Sequence, residues 1–89
     1  MSRKEKLKVY IQKRTVKEVK VQISFKNGKR YVFMYYKGNR FLDLWEFGRP
    51  HDTRLSHKRQ NMNEVMSSVL GFISENLSEI AGIIVEGEA

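Results

Sequence analysis

The sequence predicts an α+β fold, an antiparallel β-meander of about four strands packed on one C-terminal α-helix. Apolar residues alternate with polar ones through the first half of the chain, and after residue 61 they recur at helical spacing. A chain of 89 residues is long enough for one domain, 1–89. Within it we expect a basic N-terminal tail at 1–6 and a basic loop at 48–60, where periodicity is lost.

Four segments carry the strand pattern. Alternation runs through 7–12 and 19–26, and aromatic and β-branched residues fill 30–36 and 41–47. The last three segments are separated by Asn27-Gly28 and Gly38-Asn39, pairs that are typical of tight hairpin turns. We therefore expect consecutive segments to pair with one another.

The helix is predicted over residues 62–77. Asn61 and Glu64 have the spacing of a capping box at its start. One apolar stripe is expected to face the sheet, consisting of Met62, Val65, Met66, Val69, Leu70, Ile73 and Leu77. Residues 80–86 (IAGIIVE) fit either a fifth strand or a continuation of the helix, and their isoleucines and valine favour the strand.

Charge is distributed unevenly along the chain. Residues 1–60 contain all 17 Lys and Arg residues and five acids, a net +12, whereas residues 61–89 contain five Glu and no base, a net −5. Such asymmetry indicates a surface that faces a polyanion. The plainer interpretation is that the lysines only keep exposed strands solvated.

The first hairpin suggests where the polyanion binds. A two-residue Asn27-Gly28 loop would pair Ser24 with Tyr31, so that Tyr31, Phe33 and Tyr35 lie opposite the aliphatic face. Aromatic rings stack on unpaired bases and ammonium groups meet phosphates, which favours single-stranded DNA or RNA as the ligand. The candidate nucleic-acid-binding residues on this face and in the loop are Lys20, Lys26, Lys29, Tyr31, Phe33, Tyr35, Arg49, Arg54, Lys58 and Arg59.

A second interpretation of the same strands is open. If Gly38-Asn39 also forms a two-residue turn, Leu42 and Leu44 join the aromatic residues, and that face becomes apolar enough to be buried by the C-terminal segment or by a dimer partner. Asp43 would then lie on the opposite face and would need a partner if buried.

Other functions are weaker alternatives. A small phage or viral accessory protein that docks on a protein partner, as a homodimer, would suit the uncharged serines of the helix and the acidic C-terminal segment. His51, Asp52 and His57 are the residues that could serve a nuclease or a metal site, but they lie in a segment without periodicity and lack a third ligand. We therefore expect no enzymatic activity, metal or cofactor.

Composition also bears on location. The chain has no cysteine, so it has neither a disulfide framework nor a cysteine-ligated zinc site, and we expect a cytoplasmic protein. Basic and polar residues interrupt every apolar run, so neither a signal peptide nor a membrane span is expected.

The order of elements resembles that of the Whirly and Pur-type single-strand binders. The likeness rests on residues 39–73, in which NRFLDLWEF is followed by a basic segment and a helix, and it covers about half of the chain. The resemblance implies a four-stranded meander before a helix, dimerisation and single-strand binding. A fifth strand after the helix would depart from that pattern.

Overall fold

The computed structural model describes residues 8–13 and 18–87, so the predicted tail at 1–6 lies outside the described residues. The elements in chain order are β1 (Lys8–Lys13), β2 (Glu18–Phe25), β3 (Arg30–Tyr36), β4 (Phe41–Phe47), β5 (Thr53–Arg59), α1 (Met62–Glu75), a 3-10 turn (Leu77–Glu79) and β6 (Ile80–Gly87). The predicted α+β class is confirmed: a four-stranded antiparallel meander precedes one helix, and a further strand follows it.

The meander uses different strands from those expected. In the sheet order β1-β6-β2-β3-β4-β5, the meander is β2 to β5, and β1 lies at the far edge, parallel to β6. Strand β5 occupies residues 53–59, so the prediction of a loop over all of 48–60 is wrong. This strand lies at an edge of the sheet and is mostly exposed, so its residues TRLSHKR are polar and show no apolar alternation.

The turn between β2 and β3 has three residues, 26–28. The Phe25 N–H donates to the Lys29 carbonyl at 2.8 Å, and the Gly28 N–H donates to the Phe25 carbonyl at 3.0 Å. Gly28 has a φ of +93°, which glycine adopts without steric cost, whereas a two-residue type I′ turn would need positive φ at two positions. The loop is one residue longer than expected, so Tyr31 pairs with Ile23 and the predicted pairing with Ser24 is wrong.

This register places the aromatic and aliphatic residues of the hairpin on one face, because residues that pair across strands share a face. Phe33 pairs with Leu44 and Tyr35 with Leu42, as the second interpretation expected. Phe33 and Tyr35 are only 4% and 5% exposed. The prediction that these rings and Tyr31 form an exposed stacking platform is therefore wrong.

Helix α1 covers this face. The Phe72 ring lies at the centre of the contact, with its centroid 5.4 Å from that of Phe33 and 5.2 Å from that of Tyr31. The core side chains are aliphatic and aromatic residues of the sheet and one residue of the helix: Ile23, Phe33, Tyr35, Leu42, Val65, Ile80 and Ile83. Burial of these side chains drives the helix onto the sheet.

The start of the helix follows the sequence closely, whereas the helix ends at Glu75, two residues before the predicted end at 77. Asn61 Oδ1 accepts a hydrogen bond from the Glu64 backbone N–H at 2.9 Å, and Glu64 Oε1 accepts one from the Asn61 N–H at 2.8 Å. The predicted capping box is therefore confirmed. Residues 80–87 form β6 between β1 and β2, which confirms the strand interpretation of IAGIIVE.

The predicted apolar stripe of the helix is only partly buried. Val65, Val69 and Ile73 pack on the sheet together with Phe72, which the stripe did not include. The other four members remain 44% to 56% exposed, namely Met62, Met66, Leu70 and Leu77. The stripe is too wide for one contact because a helix buries about 100° of its surface against a sheet.

Replacement of Phe33 by alanine should lower the free energy of unfolding by about 3–5 kcal/mol, because it leaves a cavity under the helix. Leu55→Ala is the matched control, since Leu55 is 50% exposed and its loss should cost about 0.5 kcal/mol or less. Urea unfolding followed by circular dichroism measures both. Equal losses would contradict the burial of the aromatic face.

Candidate nucleic-acid interface

The face of the sheet that points away from α1 is here called the open face. Among residues 8–13 and 18–87, no helix or strand packs over it. Its half-buried aromatic residues are Tyr36, Phe41, Trp45 and Phe47, and its basic residues from strands β2, β3 and β5 are Lys20, Arg30, Arg54, His57 and Arg59. Aromatic and basic side chains therefore interleave on the face opposite to the predicted one.

The predicted site residues separate into three groups. Lys20, Arg54 and Arg59 lie on the open face. Lys26, Lys29 and Arg49 are exposed in the turns at one end of the sheet. The remaining four lie on the side of the sheet that α1 covers: Tyr31, Phe33, Tyr35 and Lys58. Lys58 belongs to this side because it pairs with Leu42, which in turn pairs with Tyr35.

Two guanidinium groups lie on aromatic rings of the open face. Arg30 Cζ is 5.6 Å from the centroid of the Phe47 ring, and Arg59 Cζ is 5.1 Å from that of Phe41. The imidazole of His57 stacks on Phe41 with centroids 4.3 Å apart and an angle of 4° between the planes. The two arginine contacts hold flat, positively charged groups against flat rings, a geometry that is typical of cation–π attraction.

Asp43 is the buried acid of this face and is only 5% exposed. His57 Nδ1 hydrogen-bonds to its Oδ1, and Arg54 forms an ion pair with its Oδ2 at 3.7 Å. The buried Asp43 thus has the partner that the second interpretation of the sequence required. Because the bulge in β5 lies between these two contacts, Arg54 and His57 both reach the same carboxylate.

Tyr36 adjoins this cluster. Its pKa is raised above 10.0, first by burial and then by the negative charges of Asp43 and Glu18, while the positive charge of Arg54 acts in the opposite direction. The Tyr36 hydroxyl therefore stays protonated at neutral pH, and it donates a hydrogen bond to Met34 Sδ at 3.8 Å.

A groove lies at the end of the sheet where the β2–β3 and β4–β5 turns meet. It has a volume of about 610 Å³ and is lined by residues 27–30 and 46–53. Glu46, at its wall, accepts a hydrogen bond from the Tyr31 hydroxyl at 2.7 Å and forms an ion pair with Lys29 at 3.5 Å. The hydrogen bond from Tyr31 and the positive charge of Lys29 lower the pKa of the Glu46 carboxyl. The pKa of Tyr31 is raised, first by its burial and then by its hydrogen bond to Glu46 and the charge of that residue.

The histidine and aspartate residues considered for a nuclease are separated. His57 contacts Asp43 on the open face, whereas Asp52 accepts a hydrogen bond from the Gly48 N–H at 3.3 Å in the turn. Within the described residues, no three His, Asp or Glu side chains group as metal ligands. None of the helices in the described part of the chain is long and apolar enough to cross a membrane.

The aromatic residues of the open face, Tyr36, Phe41, Trp45 and Phe47, were not among the residues predicted to bind nucleic acid. The alternation of Phe41, Asp43 and Trp45 with Leu42 and Leu44 was visible, but the face they occupy relative to β2 depends on the length of the turn at Gly28. The signal that could have found them is Asp43, because a carboxylate in an apolar strand needs a basic partner on the same face.

When the chain is compared with known proteins, no family model, no curated protein and no solved structure matches it. The function is therefore inferred from the geometry of the open face and of the groove.

His57→Ala should lower the free energy of unfolding by about 1–3 kcal/mol, because it leaves the buried Asp43 carboxylate without its hydrogen bond. His51→Ala is the control, since His51 is exposed in the β4–β5 turn and should be close to neutral. The double variant Asp43→Asn/His57→Ala should lose less free energy of unfolding than the sum of the losses in the two single variants, because the two side chains interact. Additive losses in chemical unfolding would contradict the pairing.

Proposed function

We propose that this protein binds single-stranded nucleic acid on the open face of its sheet. The observation that carries the proposal is the stacking of Arg30 on Phe47 and of Arg59 and His57 on Phe41, on a face that no described element covers. Aromatic rings offer a stacking surface to any base, and adjacent guanidinium groups reach the phosphates between bases.

Electrostatics support the same face. Asp43, which is buried on it, is hydrogen-bonded to His57 and paired with the guanidinium of Arg54, so its negative charge is already offset where a phosphate would approach. Residues 1–60, which supply most of the sheet, carry a net +12. Release of counterions from the nucleic acid then contributes to the binding free energy.

A single strand suits this surface better than a duplex. The helix of the described chain, α1, contains no Lys or Arg, so it has none of the donors that a recognition helix places in a major groove. Bases in a duplex are stacked on one another and cannot lie on Trp45. Unpaired bases can do so without the cost of melting the helix.

Trp45→Ala should weaken binding to a single strand by about 5- to 150-fold, the equivalent of about 1–3 kcal/mol for one stacked base. Arg59→Ala should weaken binding and reduce the slope of log affinity against log salt by about 1. Lys58→Ala removes one charge from the same strand on the helix side, so it should leave affinity and slope nearly unchanged. Fluorescence anisotropy across a salt series measures all three variants.

The same titrations compare single-stranded DNA, single-stranded RNA and duplex DNA, with circular dichroism to confirm that each variant folds. Equal and weak binding to all three that disappears at moderate salt would overturn the proposal. That result would leave the positive charge as a docking surface for an acidic protein.

We also propose that the exposed stripe of α1 pairs with a second copy of this chain. The stripe consists of Met62, Met66 and Leu70 of α1, continued by Leu77 in the 3-10 turn, and these side chains are 44% to 56% exposed. Met62, Met66 and Leu70 are four residues apart and so share one side of the helix, and an exposed apolar patch on one side of an element often marks an interface. A two-fold axis across α1 would bring the stripe against itself, which is how a symmetric dimer contact forms.

The distribution of charge along the chain favours a second copy as the partner that packs on the stripe. Residues 61–89 contain no Lys or Arg, whereas the remainder of the chain is strongly basic. Two copies that met through their sheets would bring like charges together. Contact through α1 would keep the basic faces of the two copies apart. At 3.6 residues per turn, Glu64 and Glu75 lie on the other side of the helix from Met66 and Leu70, so the contact would not bring these acids together.

Leu70→Glu should convert a dimer into a monomer, because it places a carboxylate at the centre of an apolar contact. Leu55→Glu introduces the same charge at a residue that is 50% exposed on β5, and it should leave the dimer intact. Sedimentation equilibrium over a range of concentrations measures the mass of each. A wild-type protein that stays monomeric throughout the range would overturn the pairing.

The chain has no cysteine, which suits the reducing cytoplasm that we propose as its location. Fractionation of cells that express the tagged protein would test this.

A further inference from the structure

The groove at the hairpin end of the sheet is a second place where a ligand can bind. In a meander, alternate turns lie at the same end, so the β2–β3 turn and the β4–β5 turn form its two walls. Its volume of about 610 Å³ falls within the range of small-molecule sites. A lone phosphate would fill only a small part of it, so the groove suits a larger ligand.

The acids of the groove are engaged within the protein. Glu46 is held by the Tyr31 hydroxyl and by Lys29, and the Oδ1 atom of Asp52 accepts the Gly48 N–H. Arg49, by contrast, forms no hydrogen bond or ion pair with another described residue, and neither does His51. The donors that remain for a ligand are thus an arginine and an imidazole, which together favour an anion.

The groove also has flat surfaces. Phe47 and Pro50 line it, and the guanidinium of Arg30 lies over the Phe47 ring at 5.6 Å from the centroid. A planar base can continue such a stack. Because Arg30 and Phe47 also belong to the open face, the groove and that face form one continuous surface.

We propose that this groove binds one nucleoside monophosphate unit, with its phosphate at Arg49 and His51 and its base stacked beside Phe47 and Arg30. The inference rests on the proposed single-strand binding and names the part of the ligand that the hairpin end recognises. The nucleotide in the groove is the one at which the bound strand leaves the open face.

Titration with adenosine monophosphate, adenosine and inorganic phosphate, followed by amide chemical shifts in NMR spectra, tests the groove directly. We expect the monophosphate to shift the amides of residues 48–53 and to bind at least about 10-fold more tightly than adenosine or phosphate, because only it engages both the hydrogen-bond donors of Arg49 and His51 and the flat surfaces at Phe47 and Arg30. Equal affinity for adenosine, shifts outside the groove or no shifts at all would overturn the inference.

Arg49→Ala should weaken monophosphate binding by about 10-fold or more through loss of a charge-assisted hydrogen bond. Lys58→Ala, which also removes one positive charge but lies on the helix side of β5, should leave that affinity unchanged. Equal loss in both variants would indicate attraction by net charge alone and would overturn the site.

The two proposals fail in different ways. Strand binding that depends on Trp45 but not on Arg49, with no monophosphate in the groove, would remove the groove site and leave the open face as the interface. Monophosphate binding in the groove, together with strand binding unaffected by Trp45→Ala, would remove the open face and retain the groove.

Discussion

The three-residue turn between β2 and β3 determines which side of the sheet each side chain occupies. Gly28 closes this turn with a φ of +93°, and the backbone hydrogen bonds of Phe25 fix its length. Side chains alternate along a strand, so a change of one residue in the turn would move every aromatic residue of β3 relative to β2. The helix therefore covers a face that is both aliphatic and aromatic. The remaining aromatic side chains and the basic side chains lie on the open face.

A second constraint is the buried carboxylate of Asp43. An acid that is 5% exposed needs partners, and both of them come from the edge strand β5. Their contacts attach a polar, exposed strand to a sheet whose hydrophobic core does not reach it. They also hold the imidazole of His57 flat against Phe41, so the interaction that balances a buried charge shapes the surface proposed to bind a base.

The distribution of charge follows the same division. Basic residues lie on the strands and turns, and the segment from residue 61 onward supplies the helix and the strand β6, between β1 and β2, with no Lys or Arg. One side of the domain is therefore suited to an anionic ligand, and the uncharged apolar stripe of α1 is suited to contact with another protein surface. Both surfaces can be occupied at once because they lie on opposite sides of the sheet.

The sequence by itself determined the fold class, the position of the helix, its capping box and the strand at 80–87, because each follows from spacing over a few neighbouring residues. It also determined the uneven distribution of charge, a net +12 over residues 1–60 and −5 over residues 61–89, since charge is a property of composition. Tertiary structure decided the partner of β1, the existence of β5 and the face on which Tyr31, Phe33 and Tyr35 lie. These features depend on pairings between segments that are distant in the sequence, and on the turn between β2 and β3. An Asn27-Gly28 pair is compatible with a turn of two or of three residues. The three-residue turn is stabilised because it places the aromatic face under Phe72, where it is buried.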